Sequence, residues 1–229
     1  MKNLFRRRLD RQHHLVLALD MHRRHRRLHN KLDLNRLQLC MLYRYRRHQH
    51  LDQLPSAITP GIRENRHCVG FFGKMSPFSN FHPARFTISD TEYSCTEQYY
   101  QAQKALILGD KKAQRTIMAS TNPVDMFKVG RSLDGDDNDN WTSSREDIMF
   151  KGNMAKYTQN QELLELLIAT GEKTLVECSA RETYWGSGVS LHHADALNQE
   201  WPGENRMGVV LERVRAEIIH ADKLDDDDP

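Results

Sequence analysis

Residues 94–110 read SCTEQYYQAQKALILGD, and this stretch sets the fold. It carries no helix breaker before Gly109, so the pattern predicts a helix with Thr96 as N-cap and Gly109 just past its end. Glu97, Gln101 and Lys104 fall at i, i+4 and i+7 and share one face, while Tyr99, Ala102 and Leu106 lie on another face suited to packing. The helical rise sets Glu97 and Lys104 roughly 10 Å apart along the axis. That span could bracket a sugar-sized ligand between a carboxylate and an ammonium group. The same spacing also describes an ordinary solvated face, and spacing alone leaves both readings open.

Outward from this helix, CVGFFG (68–73) has the texture of a short buried strand, and RFTIS (85–89) alternates as a second strand does. Helical patterns follow at 111–119, 122–129, 143–157 and 161–170, then a strand at 174–179 and a last helix at 204–219. Several helices with a few short strands make an α+β domain, mainly α-helical and compact.

Three further segments carry groups suited to binding. ARETYWGSG (180–188) leaves a strand with a carboxylate (Glu182), two aromatic rings (Tyr184, Trp185) and two glycines (Gly186, Gly188) that permit close backbone approach. PFSNFHP (77–83) presents Asn80 between Phe78 and Phe81, where its amide could bond a base or ribose edge. Arg131 after Gly130, followed by Trp141 and Arg145, supplies guanidinium forks of the kind that hold phosphate. Each has a plainer reading: a tight turn pinned by a buried tryptophan, a loop anchored by two phenylalanines, and surface arginines.

Sharper-looking signals fail. Asp134, Asp136 and Asn138 imitate the start of a calcium loop, but Asp139 and Arg145 stand where its glycine and closing glutamate belong. His192, His193 and Asp195 have no paired second ligand group, and Gly186-x-Gly188 lacks the setting of a dinucleotide fingerprint. No metal and no cofactor is expected.

Charge divides the chain. Residues 1–54 hold 14 Lys and Arg against 4 Asp, a balance of +10, with 7 His and no Gly, Ser, Thr or Pro. Residues 55–229 hold 19 Lys and Arg against 27 Asp and Glu, a balance of −8. The domain plan is a basic, poorly ordered extension (1–64), a folded domain (65–220) and an acidic tail (221–229). For the extension, contact with nucleic acid, contact with a membrane surface and organelle targeting stay open. Four scattered cysteines form no pair of metal-binding spacing and suit a reducing, intracellular setting, cytoplasmic with nuclear or organellar sites open. No apolar run approaches the roughly 20 residues of a membrane span.

In order, SPFSNFHPARF, YSCTEQYYQAQKA, VGR with a downstream NW…R…M, LLELLIATGEKTLVE, YWGSG and ENRMGVVLERVR resemble the NADAR (YbiA-like) family over about 70–216. The resemblance implies hydrolysis of a ribose C1–N bond to an exocyclic amine. It implies Glu97 as the matched catalytic carboxylate, Lys104 within the same motif, and Trp141 and Trp185 lining the site. Tyr100, Gln101 and Tyr184 join them as candidate substrate contacts, with Arg131 and Arg145 for phosphate. Glu182 stands where the family pattern usually has Asp three residues before the WG, a longer carboxylate displaced by about 1 Å, and a shift of that size can cost a hundredfold in rate.

The resemblance implies two candidate substrates. One is a riboflavin-pathway ribosylamino-pyrimidine phosphate; the other is ADP-ribose carried on guanine in DNA or RNA, which the basic arm could help to engage. A non-catalytic module binding ADP-ribose or nucleotides is the third reading. Two routes would break the bond: a pair of carboxylates, Glu97 and Glu182, or ring opening to an imine that a neutral Lys104 attacks.

Overall fold

The structure is a computed structural model that describes residues 60–226 apart from Asp136 and Gln199. The expected basic extension, except for its last residues, and the end of the acidic tail lie outside the described residues. Among those described, six α-helices and five short strands run in the order β1 (Ile62–Glu64), β2 (Cys68–Phe71), β3 (Phe86–Ile88), β4 (Thr91–Tyr93), α1 (Thr96–Ile107), α2 (Lys111–Ala119), α3 (Pro123–Arg131), α4 (Asp139–Gln159), α5 (Gln161–Ala169), β5 (Thr174–Glu177) and α6 (Arg206–Asp226). The class is α+β, mainly helical, as expected. No helix among the described residues is long and apolar enough to cross a membrane.

Helix α1 is central. Six consecutive residues, Thr96 through Gln101, are buried, and α2, α3, α4 and the β3–β4 hairpin pack around them. A core of Phe86, Tyr93, Tyr99, Ala102, Ile117 and Met126 fills the space. Gly152 of α4 lets the two helices close up, since a Cβ there would stand 2.7 Å from the Tyr99 ring. Leu106, expected to pack, is 51% exposed, and Ala105 takes the buried position instead.

The start of α1 also departs from expectation. The N-cap is Cys95, extended and without a side-chain cap, and Thr96 is already helical with a buried hydroxyl that has no partner. The first-turn N–H of Glu97 is satisfied by the carbonyl of Asn80 at 3.0 Å. A loop 17 residues upstream of Glu97 thus replaces the side-chain cap, which no local pattern reveals. Asn138, read as part of a calcium-loop imitation, instead caps α4 by accepting the N–H of Trp141 at 3.1 Å.

A three-stranded sheet stands beside the helices in the order β1-β2-β5, with β1 antiparallel and β5 parallel to β2. β1 lies before residue 65, so the folded unit reaches back into the expected extension. At the other end α6 runs to Asp226, into the expected tail. Both differences come from tertiary pairing that composition does not report.

β5 has one strand partner, and α6 serves its other edge. Leu175 N–H donates to Glu212 Oε1 at 2.9 Å, Glu177 N–H donates to Asn205 Oδ1 at 3.0 Å, and Asn205 Nδ2 donates to Leu175 O at 2.8 Å. Asn205 adopts φ 51°, a left-handed conformation that asparagine tolerates better than most residues. Gly208 makes the close approach possible: a Cβ there would lie 1.9 Å from Leu175 O. Gly208→Ala should therefore lower the free energy of urea unfolding by about 3 kcal/mol. Undiminished stability would mean that α6 is not seated on β5 in this way.

Candidate active site

The polar residues of α1 are buried, not solvated: Glu97 and Lys104 are each 4% exposed and Gln101 5%. A buried helix must satisfy such groups internally. Gln98 does so structurally, its amide donating to the carbonyls of Ile117, Met118 and Ser120 at the end of α2. Lys104 donates to Gly130 O at 2.9 Å, at the carbonyl end of α3, where a cation is favoured by the helix dipole. Gln101 Nε2 donates to Glu97 Oε1 at 2.8 Å, while its own Oε1 is buried without a partner. Gly130 makes room for that amide, since a Cβ would stand 1.7 Å from it.

Burial pushes the Glu97 carboxyl up to about 7, and the nearby Glu182 pushes the same way against the Gln101 hydrogen bond. Glu182, in the loop after β5, accepts the N–H groups of Tyr184 and Trp185 at 3.1 and 3.3 Å. That turn is tight because Gly186 has no side chain: a Cβ would lie 2.8 Å from Glu182 O. Gly188 closes the turn at φ 73°, its N–H bonded to Glu182 O.

From Lys104 a continuous aromatic wall leads away. Its ammonium lies 5.8 Å from the Trp141 ring; Trp141 meets Tyr100 at 5.0 Å, Tyr100 meets Trp185 at 5.6 Å, and Trp185 meets Tyr184 at 5.1 Å. The Arg145 guanidinium ends the row, 3.7 Å above the Tyr184 ring, with its Nε buried and unpartnered. Behind it, Glu146 accepts the Tyr184 hydroxyl at 2.6 Å and a forked contact from Arg206 at 2.7 Å to each oxygen. Burial raises the Glu146 carboxyl, but the bonds from Tyr184 and Arg206 outweigh it and leave the group below the ordinary carboxylate range. Trp141, Tyr100 and the carboxylates thus meet although they come from three segments.

Two expected contacts sit differently. The Asn80 amide is taken up inside the fold, with Asn153 donating to its Oδ1 at 3.4 Å and its Nδ2 against the sulfurs of Met149 and Met207. What Asn80 gives the site is its carbonyl, held by a loop that the fully buried Lys156 pins through Pro77 O and Ser79 O at 2.7 and 3.0 Å. Burial lowers that lysine to about 7. Arg131 is exposed at the end of α3, its guanidinium 5.9 Å from the Phe127 ring.

Sequence reasoning missed Glu177, Glu146 and Arg206. Glu177, the last residue of β5, lies close enough to Glu97 and Glu182 to feel both charges. The signal available was a carboxylate ending an otherwise apolar strand. Glu146 and Arg206 stand 60 residues apart and left no signal. A separate cavity of about 650 Å³, bordered by Ile62, Arg63, Phe72 and Leu191, contains none of these groups. Among the described residues no cluster of His, Cys, Asp or Glu suits a metal ion.

Comparison with known proteins places the chain in a family. The sequence model of the NADAR domain matches residues 70–219. N-glycosidase R617 of Acanthamoeba polyphaga mimivirus is 33% identical over 158 residues, 69% of this chain and 92% of the viral protein. N-glycosidase YbiA of Escherichia coli K12 is 32% identical over 141 residues, 62% of this chain and 80% of YbiA. The NMR structure of E. coli YbiA superposes with a TM-score of 0.57 at 28% identity, covering 72% of this chain and 92% of that one. Riboflavin biosynthesis protein VVA0006 of Vibrio vulnificus is 30% identical over 140 residues, 61% of this chain but 35% of its own length. The class so defined is a hydrolase, an N-glycosidase. The chain belongs to the NADAR family.

The environment of Glu97 yields a test that does not need a substrate. An unfolded glutamate ionises near 4.5 whereas the folded one holds its proton to about 7, so folding loses stability as pH rises between those values. Glu97→Gln should therefore stabilise the protein by on the order of 2 kcal/mol above pH 7, the gain vanishing below pH 4.5. Chemical denaturation at pH 4 and pH 8 reads this; an equal effect at both would show that burial does not hold the proton.

Proposed function

We propose that this N-glycosidase hydrolyses the bond between C1 of a phosphorylated ribose and the exocyclic amine of a heterocycle, with Glu97 as the central carboxylate. The observation that carries the reading is a buried carboxyl group, raised to about 7 and beside a second glutamate, at the foot of an aromatic wall. Cleavage develops positive charge at C1 and the ring oxygen and needs a proton on the departing nitrogen. Two carboxyl groups meet both needs, one ionised and one protonated. Glu97 and Glu182 are assigned these parts, and Trp141, Trp185 and Tyr100 supply apolar surface for the heterocycle, each stacked base being worth roughly 1–3 kcal/mol.

Arg145 is assigned to the phosphate. Stacked on Tyr184 with an unpartnered Nε, it presents a fork held in place by the Tyr184–Glu146–Arg206 set. Arg131 is assigned to a second phosphate where the substrate carries one. No cofactor or metal enters the proposed steps. The substrate class favoured is a ribosylamino-pyrimidine phosphate of riboflavin synthesis, in keeping with the name of the Vibrio relative.

A second reading has its own observation. The +10 balance of residues 1–54 suits contact with nucleic acid, and removal of ADP-ribose from guanine breaks the same kind of bond. The −8 balance of residues 55–229 opposes it.

Purified protein should release ribose 5-phosphate from the pyrimidine nucleotide, Glu97→Gln should lose at least about a hundredfold in kcat, and release of ADP-ribose from modified guanine alone would exchange the two readings. Borohydride separates the routes. A sugar adduct trapped on wild type and absent from Lys104→Ala supports the imine, which requires Lys104 to leave Gly130 O; no adduct on either removes it.

A further inference from the structure

Two buried glutamines stand on α1, and the fold treats them differently. Gln98 is bonded at both ends of its amide. Its Nε2 donates to the carbonyls of Ile117, Met118 and Ser120, and its Oε1 accepts the Ser94 N–H at 2.8 Å and the Ser94 hydroxyl at 3.0 Å. Gln101 makes one bond among the described residues, from Nε2 to Glu97 Oε1 at 2.8 Å, and its own Oε1 is buried and accepts none.

That orphan acceptor costs stability, since an apolar side chain of the same length would leave no group unpaired. Gly130 adds to the cost. It stands in the last turn of α3, where alanine is the better helix former, yet a Cβ there would lie 1.7 Å from Gln101 Oε1 and 2.3 Å from its Cδ. Two positions thus give up stability to keep an amide whose one partner is the Glu97 carboxyl group. The enclosed Oε1 has no access to a substrate, which separates Gln101 from the substrate contacts expected of it.

The direction of the bond has a chemical consequence. A carboxyl oxygen that accepts an N–H keeps its lone pair there, so the acid proton, and the lone pair that removes one, belong to the other oxygen. We propose that Gln101 is a positioning residue for the reaction: it holds Oε1 of Glu97 as a fixed acceptor and reserves Oε2 for the proton exchanged with substrate. The inference rests on the reading of Glu97 as the central carboxylate and adds the group that orients it. Held by Oε1, the carboxyl group keeps its place whether or not Oε2 is protonated, because that acceptor is present in both states.

The same bond opposes burial and lowers the proton affinity of Glu97. Glu182 and Glu177 from the strand exit, Tyr100 on α1 and Cys95 before it also couple to Glu97 and stay in place when Gln101 is replaced. Loss of the Gln101 donor alone therefore moves the Glu97 titration upward.

Two measurements on the full chain test this with Gln101→Met and Gln101→Glu. The first, infrared titration of the carboxyl band that Glu97→Gln removes, needs no substrate, and its midpoint should rise by about one pH unit in Gln101→Met. The second is turnover of whichever substrate wild type accepts, the ribosylamino-pyrimidine phosphate or ADP-ribosyl guanine. In Gln101→Met kcat should fall at least about tenfold with KM within about twofold, and the Glu97 limb of the pH–rate profile should move with the infrared midpoint. Gln101→Glu keeps the shape and donates an O–H only while protonated, so its kcat should approach wild type at acid pH and fall to the Gln101→Met value as pH rises. An unmoved infrared midpoint in Gln101→Met, a change in KM as large as that in kcat, or a constant ratio of Gln101→Glu to wild type across pH would overturn the role and leave the N-glycosidase reading in place. If Gln101→Met alone fails to fold, that ratio decides; failure of both variants to fold would assign Gln101 to structure and overturn the role. Wild type inert toward both substrates would overturn the functional reading and this role with it.

Discussion

Everything in this domain turns on placing a polar helix at the centre. α1 carries Glu97, Gln98, Gln101 and Lys104, and none of them reaches bulk water to any extent. The surrounding elements are arranged to meet that demand. The open carbonyl ends of α2 and α3 receive Gln98 and Lys104, so each helix end and each buried donor resolves the other's unmet bond. The upstream loop gives its Asn80 carbonyl to the helix start, and α4 contributes a buried lysine to hold that loop. Within α1 itself, the Thr96 hydroxyl and the Gln101 amide oxygen are left without a partner, the latter beside Glu97.

This arrangement explains why the fold uses so many segments to surround one carboxyl group. A carboxyl group with a raised affinity for its proton needs low dielectric around it and no cation beside it. α1 supplies the first through its packing, and the strand exit supplies negative neighbours in place of cations. The aromatic wall runs on from there to Arg145. Four rings separate the Lys104 ammonium from the Arg145 guanidinium.

Much of this could be read from residue order, but unevenly. α1 and β5 were legible because periodicity and apolar runs are local properties, and so was the grouping of Glu97, Gln101 and Lys104 on one face. Burial of that face was not, since nothing in TEQYYQAQKALI distinguishes a helix surrounded by three others from one at the surface. β1 and β4 are three residues each, too short for alternation to register. Thr96 looked like a cap because capping from a distant carbonyl leaves no local trace. Glu177 was read as part of a strand, correctly, and the return of loop 179–188 onto its carbonyl appears only once that loop is folded.

The seating of α6 on β5 has a meaning beyond stability. A strand with one neighbour ordinarily offers a row of free peptide groups to any other extended chain. Here Asn205 and Glu212 occupy those groups with side-chain amide and carboxylate atoms, imitating the fourth strand that the sheet lacks. At β5, protection against edge-to-edge association therefore resides in the side chain of Asn205, just before the start of one helix, and in Glu212 and Gly208 within it. The strand that ends in Glu177 and leads into the loop carrying Glu182 is by the same means closed to edge pairing on that side.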